Sequence, residues 1–197
     1  MALSPNNAVL VIKLGALGDF VQALGPFAAI RRHHADARVT LLTTAPYEEL
    51  AKASGFFDDI WTGGRPGMAD VGGWFALRSR LRSGGFGRVY DLQTSDRSSF
   101  YYRLFWPSPA PDWSGIAKGC SHPHVNPNRD FMHTMKRQAE QLSMAGIAEI
   151  PAPDPSWAEV DISRFPLSGR FALLAPGGAL HRPGKRWSAG NYGQLAK

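Results

Sequence analysis

One cysteine, Cys120, stands in 197 residues, so an intrachain disulfide cannot form, and no Cys/His spacing along the chain suits zinc. Charged residues make up only 19% of the chain, and nowhere do 18 apolar residues run together. A membrane-spanning helix is therefore not expected. The opening MALSPNNAVL has neither a charged n-region nor an apolar stretch of signal-peptide length, which makes the cytoplasm the expected compartment. Two glycine signatures are missing as well: G-x-G-x-x-G, which marks dinucleotide sites, and the G-K-[ST] of phosphate loops. No internal repeat or low-complexity tract occurs.

What is present is a basic globular composition. Lys and Arg total 22 against 16 Asp and Glu, a net charge of +6, with an isoelectric point near 9.8. Such a surface suits an anionic partner as well as it suits plain solvation. The basic residues do not alternate with aromatics in a nucleic-acid recognition pattern, so nucleic acid is not expected as a partner. With 44% hydrophobic residues the chain can bury one full core and begin a second domain.

Strands and helices are expected to alternate. Apolar runs at 8–14, 39–43, 59–61, 88–92 and 171–175 predict strands. Helical spacing predicts a helix beyond residue 19 through Phe20, Leu24 and Phe27, closed by RRHH at 31–34. Further helices are expected over 46–53, opened by Pro46 in its first turn, and over 74–83, 96–106 and 131–145. In the last of these Met132, Met135, Ala139 and Leu142 share a face, with Gly146 as C-cap. The stretch 62–73 holds five glycines and a proline and predicts a mobile loop. Proline punctuation leaves 107–130 unassigned. Alternating βα units of this kind imply an α/β fold, a Rossmann-like parallel sheet with helices on both faces. Prolines at 151, 153, 155 and 166 mark a domain boundary, which divides the chain into 1–165 and 166–197. The second part contains the strand at 171–175, a glycine loop and a helix just starting at 188.

The segment AVLVIKLGALGD, residues 8–19, is the most informative. A strand buried on both faces runs into a glycine turn that ends at a helix N-terminus, the place where open α/β sheets bind ligands. Gly15 and Gly18 permit the turn and leave room above it. Asp19 has two readings from position alone: a helix N-cap worth about 1 kcal/mol, or a carboxylate in the ligand crevice. DLQTSDRSS at 91–99 begins at the C-terminal end of another strand, so Gln93, Thr94 and Arg97 are expected to face that same crevice as acceptor contacts. In LLAPGGALHRPGKRW at 173–187, Gly177 and Gly178 would let the backbone approach a ligand, and Lys185 beside free backbone N–H groups would suit a diphosphate.

In this order, LGALGD, DLQTSDRSS, HTMKRQAEQLSMAGI at 133–147 and PGGALHRPGKRW resemble glycosyltransferase family 9, the ADP-heptose:lipopolysaccharide heptosyltransferases. The resemblance implies the N-terminal lobe of a two-lobed GT-B enzyme, with the acceptor on the first lobe and the nucleotide sugar mainly on the second. It implies an inverting transfer of heptose from ADP-heptose to a lipopolysaccharide inner-core acceptor, with Asp19 as general base and Lys185 on the donor phosphates. No cofactor or metal is implied, and the sequence has no D-x-D motif. An anionic acceptor of this type would place the protein at the cytoplasmic face of the inner membrane, with peripheral contact. Because the sequence ends early in the second lobe, the 197-residue chain alone is expected to be inactive. The alternative is a non-catalytic α/β binding module, either a degenerate acceptor lobe or a basic nucleic-acid-binding domain.

Overall fold

The computed structural model describes residues 8–167, 169–175 and 183–196, with only the backbone of Lys185. The chain divides into two compact units, Met1–Glu159 and Val160–Lys197.

The first unit is built on six parallel strands: β1 (Ala8–Ile12), β2 (Arg38–Leu42), β3 (Asp59–Trp61), β4 (Phe86–Asp91), β5 (Asp112–Gly115) and β6 (His122–Pro123). Their order in the sheet is β3-β2-β1-β4-β5-β6. Every residue of β1 is buried, because side chains alternate between two covered faces. Val9 and Val11 join one apolar cluster with Val39, Leu41 and Tyr90. Ala8, Leu10 and Ile12 join the other with Leu42, Val89 and Trp113. Helices α1 (Leu17–Gln22), α2 (Leu24–His33), α3 (Glu48–Ser54) and α6 (Thr134–Met144) cover the first face. Helices α4 (Val71–Ser83) and α5 (Asp96–Arg103) cover the second. This is the α/β Rossmann-like architecture.

Several boundaries depart from the sequence expectation for local reasons. The first helical run is two helices meeting at Ala23, since Pro26 has no N–H to offer the carbonyl four residues earlier. Helix α4 starts at Val71, inside the glycine-rich stretch, because the Asp70 carboxylate accepts the Gly73 N–H at 2.8 Å. The rest of that stretch is not a free loop. Gly64, Pro66 and Gly67 give their carbonyls to the Tyr101 hydroxyl, to Arg97 Nη1 at 2.8 Å and to Trp74 Nε1 at 3.0 Å. Helix α5 stops at Arg103 rather than 106, as Pro107 disfavours helical backbone at Trp106. The unassigned 107–130 segment supplies β5 and β6. The buried face of α6 contains Gln138 and Gln141 beside Leu142 rather than the two methionines. Gln141 Nε2 reaches the Asp91 and Ser114 carbonyls at 3.0 and 3.2 Å, so the helix closes over backbone that needs donors.

In the second unit, residues 171–175 have no regular structure and are exposed, Leu173 by 87%. The expected buried strand is absent there, since a strand requires a neighbour for its N–H and C=O groups and no described segment pairs with it. A 3-10 turn over Pro183–Lys185 precedes α7 (Ala189–Leu195). Ser188 caps α7 through the Asn191 N–H at 3.1 Å.

Candidate functional site

Strands β1 and β4 are neighbours, yet the chain leaves them toward helices on opposite faces of the sheet. The loops beyond their C-terminal ends therefore part and leave a crevice at the topological switch point. Residues 13–16 form one wall and residues 92–95 the other.

Side chains tie the walls together. The Leu14 N–H donates to Gln93 Oε1 at 2.9 Å, and Lys13 Nζ donates to the Leu92 carbonyl at 3.2 Å. From the β2 side, Thr44 Oγ1 donates to the Leu14 carbonyl at 3.2 Å. Beneath the second wall, fully buried Asp91 accepts the Gln93 and Thr94 N–H groups on Oδ1 at 3.1 and 3.0 Å. Those bonds hold Thr94 at φ +44°, a left-handed conformation that costs a β-branched residue about 1–3 kcal/mol. Burial pushes the Asp91 carboxyl up to about 6. Burial likewise pulls the Lys13 ammonium below its ordinary value, against the opposing attraction of Asp19 and with repulsion from Arg137. A buried cation and a buried acid thus lie under the crevice floor.

Asp19 sits in the first turn of α1 and is exposed. It is not the N-cap. That position is Ala16, which has no side-chain oxygen to cap with, and Asp19 Oδ2 instead accepts the Ala16 N–H at 3.3 Å. Gly15 has φ +122°, and a Cβ there would lie 2.7 Å from the Tyr47 ring. A Cβ on Gly18 would meet nothing within 4 Å, so that position opens onto free space. Gly15, Gly18, Asp19, Gln93 and Thr94 are accordingly gathered at one sheet edge. Arg97 is the second residue of α5, with its guanidinium 5.7 Å from the Trp74 ring centroid and bound to the Pro66 carbonyl. Gly177 and Gly178 lie outside the described residues, as does the side chain of Lys185.

Lys13 and Asp91 are absent from the sequence expectation. Their signal was readable: each is a lone charge at the C-terminal end of an apolar strand run, in VLVIK and VYD. Among the described residues no cluster of three or more His, Cys, Asp or Glu could hold a metal ion. His124 pairs with Glu140 at 3.2 Å. None of the helices described is long and apolar enough to cross a membrane.

No protein-family model matches the chain, and no curated protein matches it in sequence. Solved structures do match in fold. E. coli ADP-heptose lps heptosyltransferase II superposes with a TM-score of 0.68 at 17% identity, over 96% of this chain and 60% of that one. The glycosyl transferase family 9 protein of Veillonella parvula gives 0.62 at 14%, over 77% and 44%. E. coli heptosyltransferase WaaC, solved with ADP-2-deoxy-2-fluoro heptose, gives 0.57 at 14%, over 77% and 52%. The chain spans about half the length of the solved structures it matches. The fold is that of a Rossmann-like lobe of a GT-B glycosyltransferase.

Proposed function

We propose that this chain supplies the acceptor side of an inverting glycosyltransferase that moves heptose from ADP-heptose to a lipopolysaccharide inner-core acceptor at the cytoplasmic face of the inner membrane. Asp19 carries the reading, as an exposed carboxylate at the switch point of a sheet whose fold matches a solved ADP-heptose heptosyltransferase. The structures of WaaC with ADP and with the fluorinated ADP-heptose support a nucleotide-sugar donor.

In this mechanism Asp19 takes the proton of an acceptor hydroxyl as its oxygen bonds the anomeric carbon. The bond from that carbon to the diphosphate oxygen breaks, ADP leaves with the electron pair, and one displacement inverts the configuration. The acceptor hydroxyl acidifies as its new bond forms, so a carboxylate stabilised at a helix N-terminus remains a sufficient base. Gly15 and Gly18 keep the approach clear, while Gln93, Thr94 and Arg97 orient the acceptor. Residues 1–165 form the acceptor lobe. Residues 166–197 belong to the nucleotide-sugar lobe, where Lys185, Gly177 and Gly178 hold the diphosphate. No cofactor is required.

The test is titration of the chain with a soluble inner-core oligosaccharide while backbone amide shifts are followed by NMR. Shifts concentrated in 15–19 and 93–97, and absent from 80–85 at the other end of α4, are the expected outcome. Binding that leaves 15–19 unmoved would overturn the assignment.

A further inference from the structure

Helices α4 and α5 and the turn after α5 make a face that is apolar at its centre and cationic at its rim. Met68 is 92% exposed, Trp106 75% and Phe75 66%, with Val71 and Phe100 also open to solvent. Met68, Val71, Trp74, Phe75 and Phe100 line an open groove of about 470 Å³. The two helices meet there through Trp74 and Phe100, edge to face at 5.4 Å. Arg78 Nη2 donates to the Trp106 carbonyl at 2.7 Å and Arg82 Nη2 to Ser108 Oγ at 2.9 Å. Those bonds tie the turn after α5 to α4, and the exposed Trp106 ring stands beside Tyr102 and Arg103.

The charge on this face is mainly positive. Between residues 62 and 111 there are seven arginines and three aspartates, with no lysine or glutamate. Of the aspartates, Asp91 is buried under the crevice and Asp70 caps α4, which leaves Asp96 as the carboxylate near the rim. Arg65 and Arg103 are exposed and form no ion pair among the described residues, and Lys118 lies exposed past the Trp106 turn.

Neither half of this pattern is explained alone. A polyanion such as nucleic acid would use the arginines and leave Met68, Val71 and Phe75 in water. A purely apolar partner would leave the cations unpaired. A lipid surface with acidic headgroups takes both: apolar side chains enter the headgroup–acyl boundary while arginine stems lie along it and guanidinium groups meet phosphates. Tryptophan at the edge suits that boundary, since its ring is apolar and its N–H polar.

We propose that the α4–α5 face, with Met68 and Phe75 at its centre and Trp106 at its edge, docks on an anionic lipid bilayer. This rests on the surface alone and does not depend on the transferase reading. The probe is co-sedimentation of the full chain with vesicles of phosphatidylcholine, with or without phosphatidylglycerol. Binding should need phosphatidylglycerol and weaken with salt, and Arg65→Gln or Arg103→Gln should each lower partitioning about five-fold. Phe75→Ser combined with Trp106→Ser should remove the salt-resistant part, with an unchanged circular dichroism spectrum showing that the fold survives. Equal binding to both vesicle types, or no binding to either, overturns the proposal. So does heparin retention that matches vesicle binding and ignores Phe75 and Trp106, which marks a polyanion surface. Concentration-dependent self-association abolished by the same double substitution, without vesicle binding, assigns the face to a second copy instead.

Discussion

Asp19 and Asp91 are both carboxylates at the same sheet edge, and their surroundings give them opposite behaviour. Asp19 is exposed and, among the described residues, hydrogen-bonded only through Oδ2 to the Ala16 N–H, a bond that an amide oxygen can replace. Asp19→Asn is therefore expected to cost no more than about 1 kcal/mol, the value of a charge at a helix N-terminus, while turnover in a full-length form that carries the whole nucleotide-sugar lobe falls about 100-fold or more. Retained turnover, measured as ADP release, would reduce Asp19 to a structural role. Asp91 is expected to titrate visibly in stability instead. Its folded value, about 6 against 3.8, means that the native state holds the proton more tightly than the unfolded chain does. The stability it adds is present below about pH 3.8 and is lost as pH rises through about 6. A difference of about two pH units corresponds to about 3 kcal/mol. His34 works the other way. Burial, with the charges of His33, Arg88 and Arg31, lowers it to about 4, so its contribution is present above pH 6.5 and lost as pH falls toward 4. Urea unfolding of wild type and Asp91→Asn across pH 4–7 separates the two, because the His34 slope is common to both proteins. The wild type should lose up to about 3 kcal/mol relative to the variant over that range; parallel curves would show that Asp91 does not titrate there.

At the scale of elements, two helical glycines make opposite predictions. Gly18 in α1 has open space where a Cβ would go, whereas a Cβ on Gly25 in α2 would sit 2.1 Å from the Pro151 carbonyl oxygen. Gly18→Ala should raise stability by about 0.5–1 kcal/mol through lost chain entropy, yet weaken the acceptor binding assigned to that opening. Gly25→Ala should cost about 1–3 kcal/mol as the 150–152 segment is pushed away. Thermal melts of the two variants decide both signs. Tyr101→Phe removes the hydroxyl bond to the Gly64 carbonyl, and amide hydrogen exchange over 62–70 should then accelerate if that bond restrains the loop. The sequence was most legible where composition and burial agree. The run at 8–14 announces β1, and 59–61 coincides with β3. Legibility failed where one side chain decides the outcome: Asp70 starts α4 inside a glycine tract, and Pro26 divides a continuous apolar period. It failed also in α6, where buried Gln138 and Gln141 answer carbonyl groups that no local pattern encodes. In the crevice, glycines and hydroxyl residues stood out, while Lys13 and Asp91 passed as the ends of strands.

For the whole molecule, the distribution of apolar contacts sets what must unfold together. Both core clusters draw their buried members from residues 8–147, and the hydrophobics packed against them reach no further than Trp157. Each cluster fills one face of the same sheet, so neither can be lost while β1, which contributes to both, stays in place. One cooperative transition is expected for the first unit. The second unit has a different character, with Phe171, Leu173 and Trp187 all more than half exposed and an irregular backbone over 171–175. Arg164 and Arg170 lie in exposed chain without helix or strand, where a protease can draw the backbone into its active site without unfolding a core. Limited trypsin treatment should therefore cut first after Arg164 or Arg170 and leave a resistant product that begins at the native N-terminus. If the two clusters set the transition, the purified product should melt within a few degrees of the intact chain, a difference of about 1 kcal/mol or less. A first cut within 8–157, or a product that melts far lower, would mean that cooperativity extends into residues 160–197 and that the two clusters are not the whole of the folding unit.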